Sequence, residues 1–378
     1  MYVRGTILKA DYNYYKNRLT TLLRRVKRLH YFNLFQRCGK DPNKIWYHIN
    51  VLLSNQSRVI MDGLKVGTTV LTGNDMANYA NSFFINIANN LTANLPDVEL
   101  PLFRRPNPHS FVFMETNTYE VSKIIMSLKN KGNGLYDISV LVLKSNLQVF
   151  SDHVSQLYNH SIDTVTYPGL LKNARVVLGH KAGTKDEIDN YRPISNLPVL
   201  SKIFEKLTLS RLISFVKRFN LLSDCQFGFR EGRNITQAAI KLTTAIVKGY
   251  HEKVYVSCFF LDLRKAFDTV DHPILLNKLQ HMGFRERINE YINSYLTGRQ
   301  QHVQVGDFKS ENMIITKGVP QGSILGPLLF CLYINDIVDF IDAEVVLFAD
   351  DAVFIISAPT IQQMYDKIKR MFSDLSNY

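Results

Sequence analysis

The spacing of apolar positions divides the chain into a helical N-terminal part and a longer part in which strands and helices alternate. In residues 11–38, Tyr14, Leu19, Leu22, Leu23, Val26 and Leu29 recur close to helical spacing among Arg24, Arg25, Lys27 and Arg28, which predicts one long helix. A second helix is predicted over 43–54 around the only tryptophan, Trp46, and a third over 75–92 with Asn74 as its cap. The stretch 96–110 carries four prolines and reads as a linker or extended segment. Beyond about residue 115 the period switches repeatedly. Helices are predicted at 119–129, 138–147, 150–161, 198–219, 234–250, 272–281, 285–297 and 360–376. Strands are predicted at 174–179, 254–262, 300–305, 311–316, 343–349 and 352–357. This order, closing on two strands, points to an α+β fold around an antiparallel sheet. No internal repeat or low-complexity tract interrupts it.

Composition narrows the class. A chain of 378 residues with 46% hydrophobic and 21% charged residues is neither disordered nor a collagen nor a coiled-coil rod. The net charge of +12 is unevenly spread: residues 1–60 hold 12 Lys or Arg against 2 Asp or Glu, and the remainder 33 against 31. A basic block of this kind attracts phosphate backbones or anionic lipid; its plainer reading is a solvated helix face. Cys38, Cys225, Cys258 and Cys331 lie far apart without metal-finger spacing, as expected of free thiols in a reducing compartment. The start of the chain has charge and tyrosine where a secretory signal needs an apolar core. The longest apolar stretch, 324–334, is shorter than the ~20 residues of a membrane span. The expectation is an intracellular, soluble protein of the cytoplasm or nucleus with no membrane partner.

Two acidic sites stand out. One is the apolar run 254–261 ending in Asp262; the other is the pair Asp350-Asp351, set between the apolar runs 345–349 and 352–356. Adjacent carboxylates between buried strands repel one another and resist desolvation, so they call for a compensating cation. A tight β-turn is the alternative, but such turns usually supply Gly or Asn, and neither is present. Hard oxygen ligands select Mg2+ or Mn2+, and Asp262 on a neighbouring strand would complete a site for two ions and in-line phosphoryl displacement. Between the two acidic sites, Gly318-Val319-Pro320-Gln321-Gly322-Ser323 is either a place where backbone passes close to a ligand or a plain loop-to-helix junction. Lys181 and Arg192 flank a polar loop suited to holding a triphosphate, a signal that many surface loops share.

Five segments, in order, carry a resemblance: Asn190-Tyr191-Arg192-Pro193-Ile194, Gln226-Phe227-Gly228-Phe229-Arg230, the run from Phe260 to Asp268, the Gly318–Ser323 segment, and Phe348-Ala349-Asp350-Asp351. Together they resemble the reverse transcriptase of non-LTR (LINE-type) retrotransposons, strongly over about 160–378 and more loosely in the N-terminal basic region. The resemblance implies a right-hand polymerase fold, with fingers and palm over 115–378 after a basic helical region and linker over 1–114. It implies RNA-directed DNA synthesis on an RNA template and DNA primer, with deoxynucleoside triphosphates as substrates and two Mg2+ or Mn2+ ions as cofactors. Asp262, Asp350 and Asp351 match the catalytic, metal-holding aspartates, with the Leu263 carbonyl as a further ligand. Lys181 and Arg192 match the residues on the triphosphate, Phe267 the steric gate beneath the sugar, and Gln321 and Gly322 the loop near the template base and incoming nucleotide.

Gly179 departs from the family, which commonly has proline there, and is expected to loosen its strand. Because the chain stops at Tyr378 and starts at Met1, the thumb, the remaining palm motifs and any endonuclease are expected to be absent. A non-catalytic nucleic-acid-binding remnant is the competing reading, and an intron-encoded maturase a third. Oligomeric state is not legible in the sequence.

Overall fold

The computed structural model of the protein describes residues 9–39, 41–53, 63–93, 106–130 and 138–378. The chain forms two compact units, residues 1–62 and 63–378. In the first, helix α1 (Lys9–Cys38) is followed by α2 (Pro42–Leu53), close to the expected bounds. Leu19, Leu22, Val26 and Leu29 are all exposed, so the apolar stripe of α1 covers no core of its own.

The second unit opens with a hairpin that the sequence pattern missed, β1 (Leu64–Val66) and β2 (Thr69–Leu71), and with α3 (Gly73–Thr92). The boundary drawn at 114/115 therefore falls inside this unit. Asn74 does not cap α3: Thr72 stands at the cap without a side-chain bond, and the Asn74 side chain instead accepts from the Lys309 amide. Of the proline-rich stretch, residues 96–105 lie outside the described residues. Residues 106–113 are docked rather than free, with the Asn107 amide donating to the His281 carbonyl and the Phe111 amide to that of Gly283, each at 2.9 Å.

Helices α4 (Thr118–Ser127), α5 (Val140–Ser145), α6 (Leu147–Asp163) and α7 (Val199–Arg218) precede α8 (Ile235–His251), α9 (His272–His281) and α10 (Arg287–Leu296). Then come α11 (Gly326–Ile334), α12 (Ile337–Phe340) and α13 (Ile361–Asn377). Their starts follow local chemistry. Asn234 and Gln237 exchange bonds in a capping box on α8, and Asp271 and Thr360 cap α9 and α13. The main core lies among α4, α6, α7, α9, α10 and α11, where Tyr158, Tyr167, Tyr291 and Tyr295 are fully buried.

The remaining strands form two sheets. One has five strands in mixed order: β3 (Asn173–His180) pairs antiparallel with β4 (Tyr191–Asn196) and parallel with β6 (Gln300–Val305). Two short strands, β7 (Phe308–Lys309) and β8 (Met313–Ile314), pair with β6 where one strand over 311–316 was expected. The parallel β3–β6 pair departs from the all-antiparallel expectation, and β4 was not foreseen because Pro193 breaks the strand pattern. It is tolerated there because β4 is an edge strand, where a missing amide leaves no ladder bond open. The other sheet has three antiparallel strands in the order β5 (Tyr255–Asp262), β10 (Asp351–Ala358) and β9 (Glu344–Phe348). The fold is α+β, as expected. Among the described residues the four cysteines are free, and no helix is long and apolar enough to cross a membrane.

Candidate active site

The central strand β10 carries the site. Its register sets Asp351 opposite Asp262 of β5 and opposite Phe348 of β9. Directly opposed residues of an antiparallel pair share a face with Cβ atoms about 4.5–5.5 Å apart, so the two aspartates are cross-strand neighbours. Ala349 and Asp350 form the two-residue link between β9 and β10. Ala349 has φ +57° while Asp350 does not take a positive φ, the pattern of a II′ hairpin turn, whose first position normally takes Gly. The Asp-Asp pair therefore sits in the tight turn that was the alternative reading, with alanine at the strained corner. A left-handed alanine costs roughly 1–2 kcal/mol, and such strain persists only where surroundings over-determine it.

The surroundings come from the 225–228 segment. The Phe227 amide donates to the Leu347 carbonyl and the Leu347 amide to the Cys225 carbonyl, each at 2.8 Å, so this segment runs beside β9 as a short parallel bridge. Gln226 Oε1 accepts from the Gly228 amide at 2.8 Å and from the Ala349 amide at 3.1 Å. Gly228 lies flat on the turn: a Cβ there would stand 2.2 Å from the Ala349 nitrogen. No side chain fits in that space.

The carboxylates themselves are accessible. Asp262 and Asp351 are exposed and Asp350 half-buried, so the desolvation expected of carboxylates sunk between strands does not operate here. None of the three makes a hydrogen bond or ion pair among the described residues. Nor do any three His, Cys, Asp or Glu side chains among those residues stand together as a ready cage for a metal ion. What fits a divalent cation is the donor chemistry: hard carboxylate oxygens on adjoining backbone positions, without competing protein partners. Leu263, half-buried, comes directly after β5.

The loop 318–322 packs between β4 and the turn that follows β5. On one side the Ser195 amide of β4 donates to the Gln321 carbonyl at 2.8 Å, and a Cβ on Gly322 (φ +110°) would stand 2.7 Å from the Ser195 carbonyl oxygen. On the other, the Val319 amide donates to the Phe267 carbonyl at 2.8 Å, and Gly318 packs on the Asp268 backbone. The Gln321 amide donates to both carboxylate oxygens of Asp268, at 2.9 and 2.8 Å. Burial pushes the Asp268 carboxyl up to about 6, against the opposing pull of Gln321 and of Lys265. The Phe267 ring, half-buried, is stacked on Phe330 with centroids 4.6 Å apart and meets Phe229 edge-on. Phe267, Gln321 and Gly322 thus share one cluster with Asp268, which closes one of the five sequence segments without a role that the sequence alone suggests.

Lys181 and Arg192 stand on the β3–β4 hairpin, both exposed and without a side-chain partner among the described residues. Among the described residues no hydrogen bond or ion pair joins them to the three aspartates. Gly179 does not loosen its strand: it remains paired opposite Arg192, and the room where its Cβ would be is filled by Ile194, 2.7 Å away. A second residue that sequence reasoning missed is Glu205 of α7. Fully buried, its Oε2 accepts from the Ile324 and Leu325 amides at the start of α11, and its Oε1 from Ser201 and Tyr295. Burial raises its carboxyl above the usual range. Helix α11 has no side-chain cap of its own, and Glu205 supplies the acceptor from another helix.

Comparison with known proteins gives a consistent result. Residues 180–378 match the family described as reverse transcriptase (RNA-dependent DNA polymerase). The chain is 31% identical over 271 residues to the RNA-directed DNA polymerase from mobile element jockey of Drosophila melanogaster, a match covering 68% of this chain and 29% of that protein. Over 222 residues it is 32% identical to the probable RNA-directed DNA polymerase from transposon BS of the same organism, covering 57% and 24%. Over 219 residues it is 33% identical to the probable polymerase from transposon X-element, again 57% and 24%. The chain thus spans less than a third of the length of these relatives.

Proposed function

Because the chain belongs to the reverse transcriptase (RNA-dependent DNA polymerase) family, we propose that it adds deoxynucleotides to a DNA primer 3′-hydroxyl on an RNA template, as part of a non-LTR retrotransposon protein. The three-stranded sheet serves as palm and the β3–β4 hairpin as part of the fingers. The observation that supports this most is the register that sets Asp262 opposite Asp351 beside a turn carrying Asp350. Asp262, Asp350, Asp351 and the Leu263 carbonyl would hold two divalent ions, Mg2+ or Mn2+. When bound, these supply activation of the primer hydroxyl and neutralise charge on the departing pyrophosphate. Lys181 and Arg192 bind the triphosphate oxygens, with Arg192 suited to a bidentate grip. Phe267, braced by Phe330, excludes a 2′-hydroxyl from beneath the sugar. Gln321 and Gly322 leave room for the template base to meet the incoming nucleotide. The basic residues of 1–60 hold template phosphates.

Primer extension on an RNA template tests the reading. Asp350→Asn removes a charged ligand and is expected to cost several kcal/mol of transition-state stabilisation, about a thousandfold in rate. Template–primer affinity is expected to stay within about threefold of the parent, since non-specific binding rests on phosphate contacts. Undiminished extension by the variant would overturn the assignment. Binding without extension by the parent chain would select the reading of a non-catalytic nucleic-acid-binding remnant.

A further inference from the structure

We propose that Gln226 is a positioning residue for Asp350, acting by holding the Ala349 amide so that the turn between β9 and β10 keeps its left-handed corner. The inference rests on the reading of Asp350 as a metal-holding carboxylate. Three observations carry it. Gln226 is 1% exposed, and its side-chain oxygen is shared between the Gly228 and Ala349 amides. Both partners are donors, so the amide orientation is fixed by chemistry: turning it over would set an NH2 group against two N–H groups. The second observation is Gln226 Nε2, which is buried and has no hydrogen-bond partner among the described residues. A buried donor left unmade costs stability; an apolar side chain of similar size would avoid that cost but leave the Gly228 and Ala349 amides without their acceptor. Glutamine here is therefore explained by what its oxygen holds, the Gly228 and Ala349 amides, and not by its own NH2 group.

The third is the conformation it holds. Ala349 is 7% exposed with φ +57°, immediately before Asp350. Alanine leaves this region readily unless its amide has a partner, and the direction of the Asp350 side chain depends on the backbone of the residue before it. Gly228 completes the clamp by lying where any Cβ would strike the Ala349 nitrogen. Groups one step removed from a metal typically change metal affinity or activity by about 10–100-fold when removed.

The test uses the full chain and three readouts: amide exchange at Ala349, Mn2+ affinity from the free-ion resonance signal, and single-nucleotide addition. Gln226→Met is expected to speed exchange at Ala349 by about tenfold, one hydrogen bond's worth. It is expected to weaken Mn2+ binding and lower kcat by about 10–100-fold, with the deoxynucleotide KM unchanged. Adding Ala349→Gly to that variant removes the penalty for positive φ and is expected to restore Mn2+ affinity while the amide stays unprotected. Unchanged exchange, faster exchange with Mn2+ affinity and kcat intact, or no recovery with glycine would each overturn the proposal. Gly228→Ala, which displaces the turn by contact alone, gives a second variant if Gln226→Met does not fold, and its full retention of Mn2+ affinity would count equally against it. Asp350→Asn separates the two layers: if it leaves Mn2+ binding intact, the reading of Asp350 fails, while exchange at Ala349 still reports whether Gln226 holds the turn.

Discussion

Two hairpins of the second unit are built to opposite specifications. The β9–β10 turn is two residues long, strained at Ala349, bonded through Gln226 and pressed by Gly228. The β3–β4 hairpin closes over a polar 181–190 loop, and its Lys181 and Arg192 side chains are exposed, without a partner among the described residues. The difference comes from the physics of what each would hold. A carboxylate set that fixes ions must be placed to a fraction of an ångström, whereas a cation attracts a triphosphate over several ångströms and reaches it on a flexible stem. The backbone of the 181–190 loop is itself bonded, through Asn190 to Thr184 and Tyr191 to Lys185, so what differs is the freedom of the charged side chains.

That contrast is open to direct attack. Asp262→Glu keeps charge and chemistry but shifts the carboxylate by about one methylene. Misplacement by ~1 Å costs ~100-fold, so primer extension is expected to fall by about that factor. A loss under about threefold would mean that the acidic side tolerates as much slack as the basic side. Lys181→Ala and Arg192→Ala are each expected to raise the deoxynucleotide KM by about tenfold, one charge-assisted contact's worth, with kcat nearly unchanged. Lys181→Arg is expected to be close to neutral. If it lowers kcat sharply, the hairpin is as exacting as the turn.

The smallest effect belongs to Asp268, which through Gln321 ties the 318–322 loop to the turn after β5. Its folded carboxyl titrates near 6, above the usual 3.8. The protonated form is therefore favoured by folding: this contribution is fully present below about pH 4 and is lost as pH rises through 6. Over that window the slope is at most about 1.4 kcal/mol per pH unit. Asp268→Asn keeps an acceptor for Gln321 without the buried charge. Its stability relative to the parent is expected to rise between pH 4 and 6 and then level off, as denaturant midpoints at several pH values would show. A constant difference across that range would mean that the carboxyl titrates normally.

Much of the fold was legible in the residues. Helical spacing located α7, α8 and α9 within a residue or two, and the Asp350-Asp351 interruption between apolar runs fell at the β9–β10 turn of the candidate site. Strand β4 was hidden because Pro193 and the polar 181–190 loop carry loop chemistry, and only its edge position makes it a strand. The roles of Gln226, which stands in one of the five segments, and of Glu205 were unreadable for another reason. Their partners, Ala349 and Ile324, lie 123 and 119 residues away, and local pattern contains no record of such pairings. Exposure of the aspartates was also misjudged: β5 is half-buried to exposed along its length despite its apolar residues, and Asp262 and Asp351 stand at strand ends.

The left-handed alanine has a kinetic consequence. A hairpin normally forms early, from neighbours in sequence, when its turn residues favour the bend. Here the corner residue disfavours it, and the group that compensates arrives from a segment more than a hundred residues upstream. A peptide of β9 and β10 alone would not be expected to hold this turn, since isolated two-stranded hairpins are marginal even with favourable corners. The bend is therefore expected to form only once that long loop has closed, with protection of the Ala349 amide appearing late in pulse-labelled refolding.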